Sequence, residues 1–222
     1  TGIHLSNTLE FASTNGHQLS VFTPQLEEPI SFSEMTVPGK FMRELEKMLG
    51  LCEQTDVKCS FDSPFVAFES DSMLLLSRLL EGQYPGYRVL IPQSFSRTVL
   101  LDSKKFKGAL ERVAVLAAAK NNVVKLSFTS SQLKVSAEAT DMCKGQEQLS
   151  CEMTGEPIEL AFNVLYLLGA IASLDTEMIQ MSIIQWKNLL RIYFMVSKLN
   201  VKQRSYLISS IILQKTTKIR HL

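Results

Sequence analysis

Short alternations of apolar and polar residues recur along most of the chain, separated by turn-forming residues. Alternation with a period of two is typical of half-buried β-strands. Asn15-Gly16 lies between two such segments and favours a tight hairpin turn, and residues 1–4 have the pattern of the middle of a further strand. The predicted strands cover residues 9–12, 18–21, 57–61, 65–69, 73–79, 123–128 and 132–137.

Three segments have helical spacing instead, and they are predicted as amphipathic helices at residues 38–49, 103–118 and 163–174. Pro38 suits the first turn of the first helix, and Asn163 is placed to cap the third. The apolar faces of the first two helices consist of Phe41, Met42, Leu45, Met48 and Leu49, and of Phe106, Leu110, Val113 and Ala117.

The chain also contains a weak internal sequence repeat, or echo. Residues 36–49 can be laid over residues 161–174 at an offset of 125 residues, and both segments consist of a strand, a capping residue or proline, and an amphipathic helix. The pattern predicts an α+β protein with antiparallel sheets and two repeated units of roughly 125 residues, the first cut short at its start. The boundary between the units is expected near residues 92–95.

The charge is unevenly distributed along the chain. Eight of the 23 basic residues and none of the 22 acidic residues follow Ile183, which leaves a net charge of −7 on the part before it. An acidic body of this kind does not favour tight binding of nucleic acid by the whole surface. The apolar stretch at residues 162–174 is shorter than the roughly 20 residues that a membrane span needs, so no membrane association is expected.

Catalytic and metal-binding patterns are not evident. The cysteines Cys52, Cys59, Cys143 and Cys151 have no zinc-site spacing, so reduced thiols are expected. The three histidines form no recognisable triad, and neither glycine-rich phosphate-binding pattern occurs. The carboxylates Asp62, Glu69 and Asp71 are predicted to solvate turns. We therefore expect a protein without catalytic activity, metal or cofactor.

One segment carries a family resemblance. The sequence Leu-Glu-Gly-Gln-Tyr-Pro-Gly-Tyr-Arg-Val-Leu-Ile-Pro at residues 80–92 resembles the linker between the second and third domains of bacterial sliding clamps, the β subunits of DNA polymerase III. Residues 14–19, Thr-Asn-Gly-His-Gln-Leu, resemble a turn of the middle clamp domain at the right distance upstream. The helices follow in the family's order, so the resemblance covers residues 1 to about 183.

The resemblance implies a function in DNA replication. Such clamps are non-catalytic processivity factors, in which two chains close head to tail into a ring around double-stranded DNA. Basic side chains on inner helices attract phosphates weakly, which permits sliding. The corresponding DNA-facing residues here are Lys40, Arg43, Lys47, Lys104, Lys107 and Arg112.

The resemblance also implies a groove between the middle and C-terminal domains. In the family this groove docks short peptides of the polymerase, the clamp loader and repair proteins. Gln18 and Val89 stand where the family often has arginine, so weaker polar steering is expected. The groove positions carried over are Thr14, Gly16, His17, Leu19, Pro85, Arg88 and Leu90. The ring interface is expected at Val115 and Leu116, which should be at least partly exposed here.

Two departures from the family pattern qualify these expectations. Residues 1–93 correspond to a middle domain without its beginning, and 94–222 to a C-terminal domain that departs from the family after about residue 183. Residues 189–196 are expected to take the place of a strand, and residues 208–213 are apolar with no evident partner. The chain is therefore not expected to close a dimeric ring by itself.

Two alternatives stay open: a non-functional clamp fragment, or a replication-associated nuclease domain with converging carboxylates. A cytoplasmic, nucleoid-associated location is expected, or a plastid if the source is eukaryotic.

Overall fold

A computed structural model describes residues 2–24, 32–51, 57–70, 72–91, 94–140, 143–174, 176–186, 189–196 and 207–215. For residues 140, 143, 185, 186, 189–196 and 207–215 it describes the backbone only. Within these ranges no helix has both the length and the apolar character to cross a membrane.

The described part of the first half of the chain contains seven strands and one helix. In order they are β1 (Gly2–Leu5), β2 (Phe11–Thr14), β3 (Gln18–Thr23), β4 (Met35–Pro38), α1 (Gly39–Leu51), β5 (Lys58–Asp62), β6 (Phe65–Ser70) and β7 (Met73–Arg78). A linker with a single 3-10 turn, Tyr87–Leu90, leads into the second half.

The second half begins with a strand and the longest helix. Its elements are β8 (Arg97–Asp102), α2 (Ser103–Ala117), a 3-10 turn (Ala118–Lys120), β9 (Val123–Phe128), β10 (Gln132–Thr140), β11 (Cys143–Ser150), β12 (Glu152–Thr154), β13 (Ile158–Asn163), α3 (Val164–Ala172), β14 (Met178–Trp186), β15 (Leu189–Val196) and β16 (Leu207–Lys215). All described strand pairs are antiparallel.

One nine-stranded sheet joins the two halves, in the order β12-β8-β14-β15-β16-β3-β2-β1-β4. The junction is the pair β16 and β3, in which Ile211 lies opposite Leu19. A strand from the end of the chain therefore completes a sheet that begins near its start. Two smaller sheets have the orders β11-β10-β9-β13 and β5-β6-β7.

The order of strands repeats between the halves. The order β3-β2-β1-β4 matches β11-β10-β9-β13, and the meander β5-β6-β7 matches β14-β15-β16. Helix α1 follows β4 directly, as α3 follows β13. The sequence echo at an offset of 125 residues therefore corresponds to a repeated arrangement of strands and helices, which confirms the predicted α+β fold class.

The helices bury the faces that their spacing predicted, with two exceptions. Phe41, Leu45 and Met48 of α1 are buried, but Leu49 is 47% exposed and Met42 only partly buried. Leu49 lies about 80° round the helix axis from Phe41, at the margin of the face that Phe41, Leu45 and Met48 share.

The core of the second half is built around α2. Phe106, Leu110, Val113 and Ala117 are all at most 3% exposed, as predicted. Burying a side chain the size of Phe106 stabilises the fold by roughly 1.5–3 kcal/mol. These residues pack with β9, β10, β13 and α3 in one cluster.

Side-chain caps fix where α2 and α3 begin. The carboxylate of Asp102 accepts a hydrogen bond from the backbone N–H of Lys105 at 2.8 Å. Asn163 caps α3 as predicted, because its Oδ1 accepts from the N–H of Leu165 at 2.9 Å. Each cap satisfies an N–H that the first turn of a helix leaves without a partner.

The C-terminal segment differs from the expectation in one respect. Residues 189–196 form β15, as predicted, but residues 208–213 do not lack a partner: β16 pairs with β15 on one side and β3 on the other. Sequence periodicity could not reveal this, because β3 lies in the other half of the chain. Residues 92–93 at the predicted boundary, the polar segment 200–205, Cys52 and Asp71 lie outside the described residues.

Candidate functional site

The turn at residues 14–19 is held by its own side chains. The hydroxyl of Thr14 donates to the carbonyl of Gln18 at 2.7 Å and accepts from the N–H of Gly16 at 3.1 Å. The Oδ1 atom of Asn15 accepts from the N–H groups of His17 and Gln18 at 2.9 and 2.8 Å. The turn is therefore a preformed loop that presents its tip to solvent.

Gly16 at the tip has a φ of +84°, a conformation that favours glycine. A Cβ atom added there would meet no described atom within 4 Å. In the free chain the constraint on this position therefore comes from its backbone conformation and not from crowding.

The turn contacts the second half of the molecule through α3. The ring of His17 stacks on Tyr166 with centroids 5.5 Å apart, and the side-chain amide of Gln18 donates to the carbonyl of Tyr166 at 2.9 Å. Sequence reasoning missed Tyr166, because an aromatic residue in an apolar helix gives no signal of a contact so distant in sequence. The structure thus places the turn at the junction of the two halves.

Leu19 and Leu90 lie in the same apolar cluster. Leu19 is completely buried and packs with Ala12, Val21 and Tyr87, which are also buried. Leu90 packs against this cluster while partly exposed. Ile184 and Phe95 of the second half and Tyr84 and Ile91 of the linker also border it. This cluster forms an apolar floor on which Leu90 is partly exposed, and such a surface can accept an apolar side chain of a ligand.

Arg88 and Tyr87 of the linker share a carboxylate that sequence reasoning missed. Glu10 accepts a hydrogen bond from the hydroxyl of Tyr87 and from Nε of Arg88, the latter at 3.2 Å. Burial, followed by the hydrogen bond and charge of Glu10, raises the pKa of Tyr87 to about 12. The charge of Glu10 is also the largest cause that raises the pKa of Arg88. Arg88 is therefore an exposed but already paired cation.

The remaining groove positions lie on the surface. Pro85 and Val89 are exposed on the linker, and Val89 is 86% exposed. Thr14 is partly buried and His17 exposed at the turn. The structure thus brings the turn and the linker together around Leu19, while Pro85 and Arg88 present side chains outside that cluster.

The six predicted DNA-facing residues are all exposed, on α1 and α2. Three of them have acidic partners: Lys47 with Glu44 at 3.1 Å, Lys107 with Glu111 at 3.9 Å, and Arg112 with Glu147 at 2.8 Å. Within the described ranges no carboxylate lies within 4.0 Å of the other three, which are Lys40, Arg43 and Lys104.

The two predicted interface residues near the end of α2 differ in exposure. Val115 is 76% exposed, and Leu116 is partly buried against the core. Leu116 lies over β11, where a Cβ atom on Gly145 would come within 2.3 Å of Leu116 Cδ1. Both are at least partly exposed, as predicted, and they lie beside β11, one of the two edge strands of the described four-stranded sheet.

Among the residues that the structure describes, no group of three or more histidine, cysteine or acidic side chains could hold a metal ion. Asp62 is exposed, and Glu69 is paired with Lys58 at 3.8 Å.

Two family models match adjacent parts of the chain. The central domain of the DNA polymerase III beta subunit matches residues 1–86, and the C-terminal domain of the same subunit matches residues 88–193. The second match reaches ten residues past Ile183, into β15.

The curated relatives of this chain are also named as sliding clamps. A beta sliding clamp of Synechococcus elongatus is 38% identical over 191 residues, which is 82% of this chain and 51% of that protein. A beta sliding clamp of Vibrio cholerae is 30% identical over 175 residues, covering 79% of the chain and 48% of that protein. The chain spans about half the length of the curated relatives it matches.

Solved structures extend the likeness to nearly the whole chain. The DNA polymerase sliding clamp of Bacillus subtilis matches with a TM-score of 0.81 and 27% identity, over 97% of this chain and 57% of that one. The DNA polymerase III beta chain of Streptococcus pneumoniae gives a TM-score of 0.82 at 25% identity, with the same coverages. The fold is therefore shared beyond residue 193.

Proposed function

Because this chain belongs to the family of DNA polymerase III β subunits, the bacterial sliding clamps, we propose that it acts in DNA replication as part of a non-catalytic clamp. In this role it helps to enclose double-stranded DNA and docks the polymerase and other partners through short peptides. The observation that carries the proposal is the match of two consecutive clamp domains along the chain.

Residues 1–93 would form the middle clamp domain and residues 94–222 the C-terminal one. The repeated strand order supports this division, because each half has the same four-stranded arrangement followed by a helix. The junction strands β3 and β16 would then bring two domains into one continuous sheet, which leaves neither of these edges open.

The DNA-facing surface would consist of the basic residues of α1 and α2. Weak electrostatic attraction between these residues and DNA would be sufficient, because a closed ring retains the DNA that it encloses without binding it tightly. Lys40, Arg43 and Lys104 would contribute most, since their charges lack acidic partners in the described part of the chain. Lys47, Lys107 and Arg112 would contribute less.

The docking groove would lie between the turn at residues 14–19 and the linker. Its apolar floor around Leu19 and Leu90 would bind the apolar anchors of a peptide. His17 and Arg88 would border this floor. The contact of His17 with Tyr166 makes α3 a further support of the groove.

A ring interface would form at the end of α2. Val115 presents an apolar side chain to solvent, and the neighbouring β11 is an edge strand among the strands that the structure describes, which together suit a partner chain. The family models that match are those of the central and C-terminal domains, and the resemblance implies that this surface meets the first domain of a partner chain. We therefore expect residues 1–222 alone to remain open, so light scattering should give no dimer. A stable homodimer that encircles DNA would contradict this expectation.

The docking function is tested by titrating a short fluorescent peptide with leucine and phenylalanine anchors against the chain. Saturable binding that a Leu90→Ala substitution weakens would support the proposal. A peptide with both anchors replaced by alanine is the matched control. Equal binding of the two peptides would contradict docking, and would favour a clamp fragment without function.

The absence of catalysis is tested separately. The purified chain should neither extend a primer nor degrade DNA in the presence of Mg²⁺. Nuclease activity that copurifies with the chain and is lost on substitution of a single carboxylate would replace the clamp proposal with the nuclease alternative. A cytoplasmic, nucleoid-associated location would follow from a function on replicating DNA.

A further inference from the structure

Glu10 is a nearly buried carboxylate beside the apolar cluster around Leu19. Its side chain is 17% exposed. Its backbone is fixed by Ser6, since the N–H of Ser6 donates to the carbonyl of Glu10 at 2.9 Å and the N–H of Glu10 donates to the hydroxyl of Ser6 at 3.0 Å. The carboxylate therefore extends from a fixed loop.

This carboxylate collects donors from two different parts of the chain. The hydroxyl of Thr23 in β3 donates to Oε2 at 3.2 Å. The hydroxyl of Tyr87 and the guanidinium of Arg88, both in the linker, share Oε1. Because charge-assisted hydrogen bonds are stronger than neutral ones, Glu10 is a strong attachment point for the linker.

The 3-10 turn at residues 87–90 links the position of Tyr87 to that of Leu90. Side chains three residues apart in a 3-10 helix lie above one another, so Tyr87 and Leu90 point to the same side. Both belong to the cluster around Leu19. A shift of the Tyr87 ring would therefore move Leu90 as well.

We propose that Glu10 is a positioning residue for peptide docking, which sets the place of Leu90 by holding Tyr87 and Arg88. The inference rests on the proposed docking function. Glu10 itself does not contact the peptide, and it acts through the linker. A tyrosine hydroxyl is protonated at neutral pH, so it can donate to Glu10 there, and the raised pKa of Tyr87 extends this only to more alkaline pH.

A second consequence concerns charge. Arg88 is bound by Glu10, so an acidic group of a peptide would have to compete with Glu10 for this cation. The groove should therefore discriminate little between a peptide with an aspartate near its anchors and the same peptide with asparagine. Release of Arg88 by a Glu10→Gln substitution should increase that discrimination.

The experiment compares Glu10→Gln with Glu81→Gln. Glu81 is a matched control, because it also pairs with an arginine of the same region, Arg78 at 2.6 Å, but both partners are well exposed. Glu10→Gln should weaken binding of the leucine and phenylalanine peptide by about tenfold. Glu81→Gln should leave the affinity unchanged.

A double-mutant cycle separates positioning from general destabilisation. If Glu10 acts through Leu90, the Glu10→Gln substitution should have little further effect in a Leu90→Ala background. Tyr87→Phe, which removes only the hydroxyl, should reproduce part of the loss and serves as the second variant should Glu10→Gln fail to fold. In both folded variants the melting temperature is measured alongside.

The outcomes distinguish the two proposals. Failure of the unsubstituted chain to bind the peptide overturns the docking function and this inference with it. Binding that Glu10→Gln and Tyr87→Phe leave unchanged overturns only the role of Glu10. An undiminished effect of Glu10→Gln in the Leu90→Ala background would likewise overturn it, since Glu10 would then act by another route.

Discussion

Arg112 and Glu147 form a doubly hydrogen-bonded ion pair between α2 and β11, with Nε to Oε1 at 2.8 Å and Nη2 to Oε2 at 3.0 Å. The hydrogen bond with Glu147 is the main cause that raises the pKa of Arg112, and the same bond lowers the pKa of Glu147. Arg112 is therefore held towards β11 by a neutralising partner, whereas Lys104 on the same helix has no acidic partner among the described residues.

This difference predicts unequal contributions to DNA binding. The logarithm of the DNA affinity falls linearly with the logarithm of the salt concentration, with a slope set by the number of phosphate contacts. Lys104→Ala should make this slope shallower by about one, as the loss of one phosphate contact does. Arg112→Ala should change the slope less, because Glu147 already holds the guanidinium towards β11 and competes with phosphate for it. Fluorescence anisotropy of a labelled duplex at several salt concentrations measures both. A larger effect of Arg112→Ala would contradict the prediction.

The two leucines of the groove should respond differently to truncation. Leu19 is completely buried, so Leu19→Ala should lower the free energy of unfolding by about 2–5 kcal/mol. Leu90 is partly exposed, so Leu90→Ala should cost only about 1 kcal/mol while weakening peptide binding. Denaturant unfolding and peptide titration of each variant provide the comparison. Equal stability losses would show that Leu90 is a core residue.

A new cation at residue 89 should strengthen binding of acidic peptides. Val89 is 86% exposed, so Val89→Arg introduces a charge without disturbing the core. We expect this variant to bind an aspartate-containing peptide more tightly, and we expect the gain in affinity to decrease as salt is added. Val89→Met controls for side-chain size. Gln18→Arg should be less effective, because it also removes the hydrogen bond to Tyr166. Salt-independent gains would contradict an electrostatic cause.

Substitutions of Gly16 should separate backbone conformation from contact with a ligand. Gly16→Asn should fold with little loss, because asparagine tolerates positive φ and the space is open. Gly16→Val should lower stability, because a branched side chain resists that conformation. If a docked peptide approaches this backbone closely, Gly16→Asn should weaken peptide binding although the melting temperature is retained. Unchanged affinity would place the peptide elsewhere.

The C-terminal segment should limit docking. Strand β16 lies next to β3, with Ile211 opposite Leu19, so this segment borders the groove. Residues 194–222 lie beyond the family match. Replacing the residues after Ile183 with a family-like ending, which changes this part, should raise peptide affinity by more than tenfold, or about 1.4 kcal/mol. Titration of both proteins with one peptide measures this. Equal affinities would show that the present ending already provides a sufficient wall.

The sequence predicted best what depends on local periodicity. The spacing of Phe106, Leu110 and Val113 predicted helix α2 and its buried face. The residue type of Asn163 was enough to predict the cap of α3. The polar strand β11 was missed, because the exposed edge of a sheet needs no apolar alternation. Such a strand is recognisable only from its neighbour β10.

The candidate site depended on contacts that no local pattern encodes. The turn and the linker were found through the family resemblance, and the structure brings Leu19 and Leu90 into one cluster. Glu10 and Tyr166 were missed because their partners, Arg88 and Gln18, lie far away in sequence. A lone glutamate before a strand has the same appearance as a solvated surface residue.

The pairing of β16 with β3 has a consequence for synthesis on the ribosome. The edge of β3 is made early, but its partner strand is the last described element of the chain. While the ribosome completes the intervening residues, β3 has an unpaired edge that other nascent chains could join. Contacts of such long range also slow folding. The emerging chain should therefore depend on chaperones until β16 has left the ribosome.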